Sequence, residues 1–251
     1  MTDRAIILAA GRGSRLGMQT ENKPKCLVHL LGQPLLLWQV QALQHIGIKD
    51  ITVVTGYRCE MIEAFGIPTI HNASWATTNM VASLMAARDL FDKPLLVSYS
   101  DIVYDPRILE KLRAVNDEIA VTYDLNWLTL WKERFEDPAS DAESFSVDKG
   151  GYLKEIGKRN PNLNLVMGQY MGLLRISPVA LMWIDELVCS ITKEQGDRLD
   201  MTALLDLLIN NGRQIKAVPT TLGWCEVDNE HDLMVATNLA EQERFGSELI
   251  K

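Results

Sequence analysis

The chain lacks a basic surplus: 25 lysines and arginines stand against 33 aspartates and glutamates, a formal net charge of -8. Binding along a nucleic-acid backbone needs cations to displace counterions, so nucleic acid is not an expected partner. Long apolar runs are also missing. None approaches the roughly 20 residues that cross a bilayer, and no membrane partner is expected. Cysteine is sparse, and Cys26, Cys59, Cys189 and Cys225 show no CxxC spacing, which argues against a zinc ribbon or a redox pair. The opening residues MTDR run into an apolar segment without a secretory pattern, so a cytoplasmic location is the expectation. The four histidines suggest no catalytic triad.

What is present is a chain of 251 residues, 47% hydrophobic, long enough for one large core. Short apolar runs alternate with helical patterns through its first half. AIILAA, DITVVTG, PLLVSYSD and IAVTYD read as buried strands, each short, apolar and stopped by a turn residue. PLLLWQVQALQHIGI, NMVASLMAARDL and DPRILEKLRAV read as helices, the last with Asp105 as N-cap and Pro106 at the first position. Such alternation predicts an α/β fold with a doubly wound, mostly parallel sheet, whose ligands collect at the carboxyl ends of the strands. In the second half SFSVDKGGYLKEIGK reads as a hairpin turning at Lys149-Gly150-Gly151, and GQYMGLLRI as a further strand. Helices over PVALMWIDELV and MTALLDLLINNG, strands IKAVPT and WCEVD, and a helix from about Glu230 follow.

The first strand ends in AAGRGSRLGMQTENKPK, and three phosphate-loop patterns compete for it. GxxxxGK[ST] fails, because Leu16 stands where its second glycine belongs and Met18 follows Gly17. GxGxxG matches only at Gly11 and Gly13, and the second strand ends at Gly56 and Tyr57 without the required carboxylate. The pattern AAGxGxRL…KPK fits throughout. Gly11 and Gly13 remove Cβ atoms so that backbone N–H groups approach a triphosphate. Arg15 can fork onto outer phosphate oxygens, and Lys25 can stand as a point charge near the inner one.

On these residues the chain resembles the nucleoside-triphosphate transferases that activate sugar phosphates and small phospho-compounds. More narrowly, it is similar to the small CTP-dependent cytidylyltransferases acting on phosphocholine, 2-aminoethylphosphonate or phosphoglutamine. Further anchors are TNMVASL, SYSDIVY, WLTLWKERFEDPASDAESF, EIGKR, GQYMGLLR and WCEVDNEHDL. The resemblance implies a Rossmann-like nucleotidyltransferase sheet, core about residues 1–125 and 215–251, with a small antiparallel acceptor-binding lid over about 126–214. One domain over 1–251 is expected, without the appended β-helix domain of some relatives. It leaves a homodimer open.

The implied reaction is attack of a phosphate or phosphonate oxygen on the α-phosphorus of CTP, with pyrophosphate leaving. That nucleophile is already ionised, so the task is charge neutralisation and positioning rather than general-base catalysis. Mg²⁺ is the implied cofactor, held by Asp101 and Asp228, each of which reads equally as a helix or turn cap when taken alone. Lys25 and Arg15 complete the catalytic set, with Lys23 as the alternative to Lys25. The nucleotide set adds Leu8, Ala9, Ala10, Gly11, Arg12, Gly13, Ser14, Gly56, Asn79 and Ser83. Asn79 reads as a contact near base and ribose or as a helix cap.

For the acceptor the implied residues are Asp124, Trp127, Glu155, Lys158, Gln169, Tyr170 and Glu226. Asp124 beside aromatics would receive a primary ammonium. Tyr123, Trp127, Trp131, Tyr170 and Trp224 would box a quaternary one, or else serve packing. Lys158 and Arg159 would bind the acceptor phosphate, or form a solvated hairpin end. The segment from Trp127 to Phe145 looks closer to the phosphonate and phosphoglutamine branches. The resulting order is an aminophosphonate such as 2-aminoethylphosphonate, then phosphoglutamine, then phosphocholine. A sugar-1-phosphate nucleotidylyltransferase is the enzymatic rival. A non-catalytic nucleotide-binding module is the other, though it would not need two metal carboxylates beside Lys25.

Overall fold

Burial on both faces of the first strand sets the architecture. In the computed structural model, which describes residues 3–246, β1 (Arg4–Ala9) places Ala5, Ile7 and Ala9 in one apolar cluster and Ile6 and Leu8 in another. A strand buried on both sides needs cover on both sides, and helices supply it. After β1 come the two-residue strands β2 (His29–Leu30) and β3 (Gln33–Pro34), then α1 (Leu35–His45), β4 (Ile51–Thr55), α2 (Cys59–Glu63), β5 (Thr69–His71) and α3 (Met80–Ala86). Next are β6 (Leu95–Tyr99), β7 (Ile102–Tyr104), α4 (Pro106–Arg113), β8 (Ile119–Asp124) and α5 (Trp127–Arg134). The second half holds β9 (Glu143–Val147), β10 (Leu153–Arg159), β11 (Gln169–Ile176), α6 (Pro178–Ser190), α7 (Lys193–Arg198) and α8 (Met201–Asn210). The chain closes with β12 (Lys216–Thr220), β13 (Trp224–Glu226) and α9 (Glu230–Glu241).

Seven strands form the central sheet in the order β12-β8-β11-β6-β1-β4-β5. All neighbouring pairs are parallel except those of β11, which runs antiparallel to both β6 and β8. Helices α1, α4 and α9 bury Leu36, Leu109 and Ala236 against one face. Helices α3, α6 and α8 bury Leu84, Leu181 and Leu204 against the other. Local signals act as read. The Asp105 carboxylate accepts the Arg107 N–H at 2.9 Å in front of Pro106, and Gly47 takes φ +80 just past α1. Among the described residues no helix is long and apolar enough to cross a membrane.

The lid boundaries drawn at 126–214 need correction. β11 lies inside the central sheet, and α6 and α8 cover one of its faces with buried leucines. The only antiparallel hairpin of the segment is β9–β10, turned at 148–152. The physical reason is in β11 itself: Met171 and Leu173 enter one core and Leu174 and Ile176 the other. A strand apolar on both faces belongs in the interior of a sheet.

Between Met171 and Leu173, Gly172 bends the strand at φ +75, and a Cβ there would sit 2.7 Å from the Tyr99 ring. Register between β11 and β8 shifts between Tyr170 and Leu174, which encloses that bend. Gly172→Ala is expected to destabilise by about 2 kcal/mol through backbone strain and overpacking. The melting temperature would then fall by about 4–8 °C, and an unchanged value in a thermal melt would contradict this account of the bulge.

Candidate active site

Strand order reverses around β1, with β4 and β5 on one side and β6 on the other. A crevice therefore opens at the carboxyl ends of β1 and β6. It holds a cavity of about 220 Å³ lined by Leu8, Ala10, Gly11, Gly13, Lys25, Trp75, Thr78, Asn79, Met80, Ser83, Ser100 and Asp101. The loop after β1 winds into a short 3-10 helix (Ser14–Thr20) pinned by buried Leu16, and the Thr20 hydroxyl donates to the Gly13 carbonyl at 2.8 Å. Gly13 is left-handed at φ +76, and a Cβ there would lie 2.6 Å from the Lys25 Cβ. The glycine lets the lysine stem pass directly under the loop.

Asp101 occupies the tight turn between β6 and β7. β13 pairs antiparallel with β7, Glu226 opposite Ile102, and the Val227 N–H donates to the Asp101 carbonyl at 2.9 Å. That register carries Glu226 and Asp228 to Asp101. One carboxylate oxygen from each of Asp101, Glu226 and Asp228 lies within 4.8 Å of the others. Lys25 enters this cluster from below the loop. Its Nζ donates to Asp101 Oδ2 at 2.7 Å and to Asp228 Oδ1 at closer range. Arg15, two-thirds exposed, donates to the same Asp228 oxygen at 2.8 Å.

Behind the cluster stands Arg134 of α5, fully buried. Its guanidinium forks onto Asp232, Nε to Oδ1 at 2.9 Å and an NH2 to Oδ2 at 3.2 Å, and reaches Glu226 at 3.4 Å. Asp232 also accepts the Asp228 N–H at 3.0 Å. Burial opposes the Lys25 charge, but Asp101, Asp228 and Glu226 outweigh it and hold its pKa above the ordinary lysine value. Burial, then the charge of Asp228, pushes Glu226 up to about 8 against the pull of Arg134. Asp228 is also buried, yet Lys25, Arg15 and Arg134 hold it below the usual carboxylate range.

Hard oxygen donors from three side chains suit a divalent cation. Asp101 Oδ1 is buried and has no hydrogen-bond partner among the described residues, so a donor oxygen stands uncommitted in the cluster. The donor set fits such an ion.

Across the cluster a second cavity of about 260 Å³ opens, separated from the first by Met80, which lines both. Its walls include the aromatics Tyr99, Trp131, Tyr170 and Trp224, the acids Asp141, Glu143 and Asp200, and Arg15, Arg159 and Gln169, with Glu226 and Asp228 at the edge toward Lys25. The Trp131 indole Nε1–H is buried without a partner among the described residues.

Of the residues read from the sequence, the structure brings Leu8, Ala10, Gly11, Gly13, Lys25, Asn79, Ser83 and Asp101 to the first cavity, and Arg15, Gln169, Tyr170, Glu226 and Asp228 to the second. Ala9 faces the opposite core, by strand alternation. Arg12 and Ser14 are exposed, with Arg12 over the Tyr57 ring at 5.4 Å. Gly56 lines neither cavity, but a Cβ there would strike the Ala10 carbonyl and Trp75. Asn79 caps α3 as well as lining its cavity, accepting the Met80 N–H at 2.8 Å, whereas Asn229 rather than Asp228 caps α9.

Four acceptor assignments are corrected. Asp124 is buried away from the second cavity, where it accepts the Trp224 indole N–H at 3.0 Å and the Asn126 N–H at 2.7 Å. Trp127 packs in the core on Trp131, since α5 turns it inward. Glu155 and Lys158 pair with each other at 3.4 Å on β10 and line neither cavity, because the hairpin points Arg159 inward instead. Sequence reasoning missed Trp75, Tyr99, Arg134, Asp141, Glu143, Asp200 and Asp232. Only Asp232, an acid three residues after the helix cap Asn229, carried a spacing signal.

The chain is similar to known proteins in sequence and in fold. The pattern of the MobA-like NTP transferase domain matches residues 5–143. The CTP:phosphoglutamine cytidylyltransferase of Campylobacter jejuni subsp. jejuni is 33% identical over 255 residues, covering 92% of this chain and 98% of that protein. The CMP-5'-(3-aminopropyl)phosphonate synthase of Streptomyces rubellomurinus is 32% identical over 126 residues, 47% of this chain and 20% of that protein. In fold, the CTP:phosphocholine cytidylyltransferase of Streptococcus pneumoniae superposes with a TM-score of 0.72 at 19% identity, over 96% of this chain and 100% of that one.

Arg134→Met would strand Asp232 and Glu226 without their cation. A loss of about 3–5 kcal/mol in urea unfolding is expected. Arg15→Met removes an exposed partner and should change stability by no more than about 1 kcal/mol. Equal effects would refute the distinction between the two arginines.

Proposed function

The chain belongs to the MobA-like NTP transferase domain family, and from that premise we propose that it moves CMP from CTP to an oxygen of a small phosphate or phosphonate acceptor, releasing pyrophosphate. The observation that carries this reading is the meeting of Lys25, Asp101 and Asp228, from three distant segments, at the junction of two cavities. CTP takes the cavity beneath the glycine-rich loop, and the acceptor takes the aromatic and acidic one. The similarity to a phosphoglutamine enzyme over nearly its whole length supports CTP as donor. It also moves phosphoglutamine level with 2-aminoethylphosphonate among acceptors.

In this reading the loop amides around Gly11 and Gly13 cradle the triphosphate, and Gly13 gives Lys25 room beside it. Lys25 remains charged at any physiological pH, because its acidic neighbours raise its pKa. It can therefore offer a positive charge to the α-phosphate as negative charge gathers there. Arg15, two-thirds exposed, supplies a second charge at the rim. Asp101 and Asp228, with Glu226 beside them, would hold Mg²⁺, which supplies charge neutralisation at the phosphates and the leaving pyrophosphate. Asp232 and Arg134 fix Asp228 from behind through its N–H and its charge. No side chain need remove a proton from an acceptor oxygen that is already ionised.

The test is pyrophosphate release with each nucleoside triphosphate against phosphoglutamine, 2-aminoethylphosphonate, phosphocholine and a hexose 1-phosphate. Turnover is expected with CTP and an amino-bearing acceptor, and its loss with a chelator. Lys25→Met should lower kcat about 10²–10³-fold. Preference for a hexose 1-phosphate would overturn the acceptor class, and silence with every pair would overturn the activity.

A further inference from the structure

The acids of the second cavity are not equivalent. Asp228 is held by Lys25 and Arg15, and Glu226 lies against Arg134. Glu143 pairs with Arg159 at 3.2 Å. Asp200 caps α8, accepting the Ala203 N–H at 2.8 Å and the Thr202 hydroxyl at 3.1 Å. Asp141 is half-buried, and its carboxylate alone among these wall acids has no hydrogen bond or ion pair to any described residue. It follows the turn Pro138–Ser140, whose own cap is Asp137, so the local backbone makes no use of its carboxylate.

A cavity-lining carboxylate without a protein partner is free to accept hydrogen bonds from an arriving donor. Burial, the largest influence on Asp141, raises its pKa despite nearby Arg134, Arg159 and Arg15, as expected of an acid that no cation touches. Trp131, Trp224, Tyr99 and Tyr170 line the same cavity, and aromatic faces attract cations. We infer that Asp141 is the specificity-determining residue of the acceptor site and receives a protonated amine carried by the acceptor. This assignment rests on the cytidylyltransferase reading. It differs from the sequence expectation, which gave that task to Asp124, a residue committed to the Trp224 indole.

The experiment compares Asp141→Asn with the unaltered chain on matched acceptors: 2-aminoethylphosphonate with propylphosphonate, and 3-aminopropylphosphonate with butylphosphonate. Phosphoglutamine is run with its des-amino counterpart. Asparagine preserves shape and removes only charge. For whichever amino acceptor the unaltered chain uses best, KM should rise about 10- to 100-fold, the effect of losing a charge-assisted contact. The KM for CTP should stay within about threefold, and the des-amino partner should change no more than that. Asp141→Glu should recover part of the preference. Manganese affinity, followed by electron paramagnetic resonance, should be the same in both proteins.

Equal losses on amino and des-amino acceptors would overturn the assignment while leaving the cytidylyltransferase reading intact. So would a weakened manganese site, which would place Asp141 with the Asp101 cluster. No turnover by the unaltered chain with any acceptor would overturn the reading itself, and this assignment with it.

Discussion

One buried ammonium organises the site. Lys25 joins Asp101, 76 residues away, to Asp228, 203 residues away, and neither contact forms unless the sheet has been assembled in order. β6 must lie beside β1 to bring Asp101 under the loop, and β13 must pair with β7 to bring Asp228. An isolated lysine would resist such burial. Here the acids around it reverse the balance, and the price is met by excess negative charge.

That excess is contained in tiers. Lys25 and Arg15 face the cavities, where substrate charge would arrive, whereas Arg134 and Asp232 are sealed behind. Arg134 also packs over the rings of Trp131 and Phe135, at 5.0 and 4.9 Å, so its position is set by aromatic contact as well as by carboxylates. The inner pair can therefore hold Asp228 in place while the outer cations remain available to ligands. Aromatic packing of α5 thus serves electrostatics at a distance from its own surface.

Much of the fold was legible because period and punctuation agreed. Pro34, Gly47, Asp105 and Pro106 bound helices as their chemistry dictates, and β1 carries apolar residues on both faces. The position of β11 was not legible: an apolar strand does not declare which strands it will lie between, nor in which direction. Around the glycine-rich loop the motif specified backbone geometry, and Ala10, Gly11, Gly13 and Lys25 met at one cavity. The acceptor side depended on which way single side chains turn. Arg159 and Lys158 are adjacent, and the irregularity of β10 between Ile156 and Arg159, at left-handed Gly157, leaves the former lining the cavity. Asp124 looked free in sequence because its partner, the Trp224 indole, is 100 residues away. Arg134 gave no signal, since a lone arginine in a short amphipathic helix ordinarily faces water.

The antiparallel strand in mid-sheet has a bearing on how the molecule is made. β8 touches the sheet only through β11 and β12, both of which are synthesised after it. A nascent chain stopped at residue 143, where the family pattern ends, would hold β1, β4, β5 and β6 in register yet leave β8 without a neighbour. The matched segment is thus not a self-contained folding unit, because its β8 needs β11 and β12 beside it. The ribosome must deliver β11 and β12 before β8 can enter the sheet.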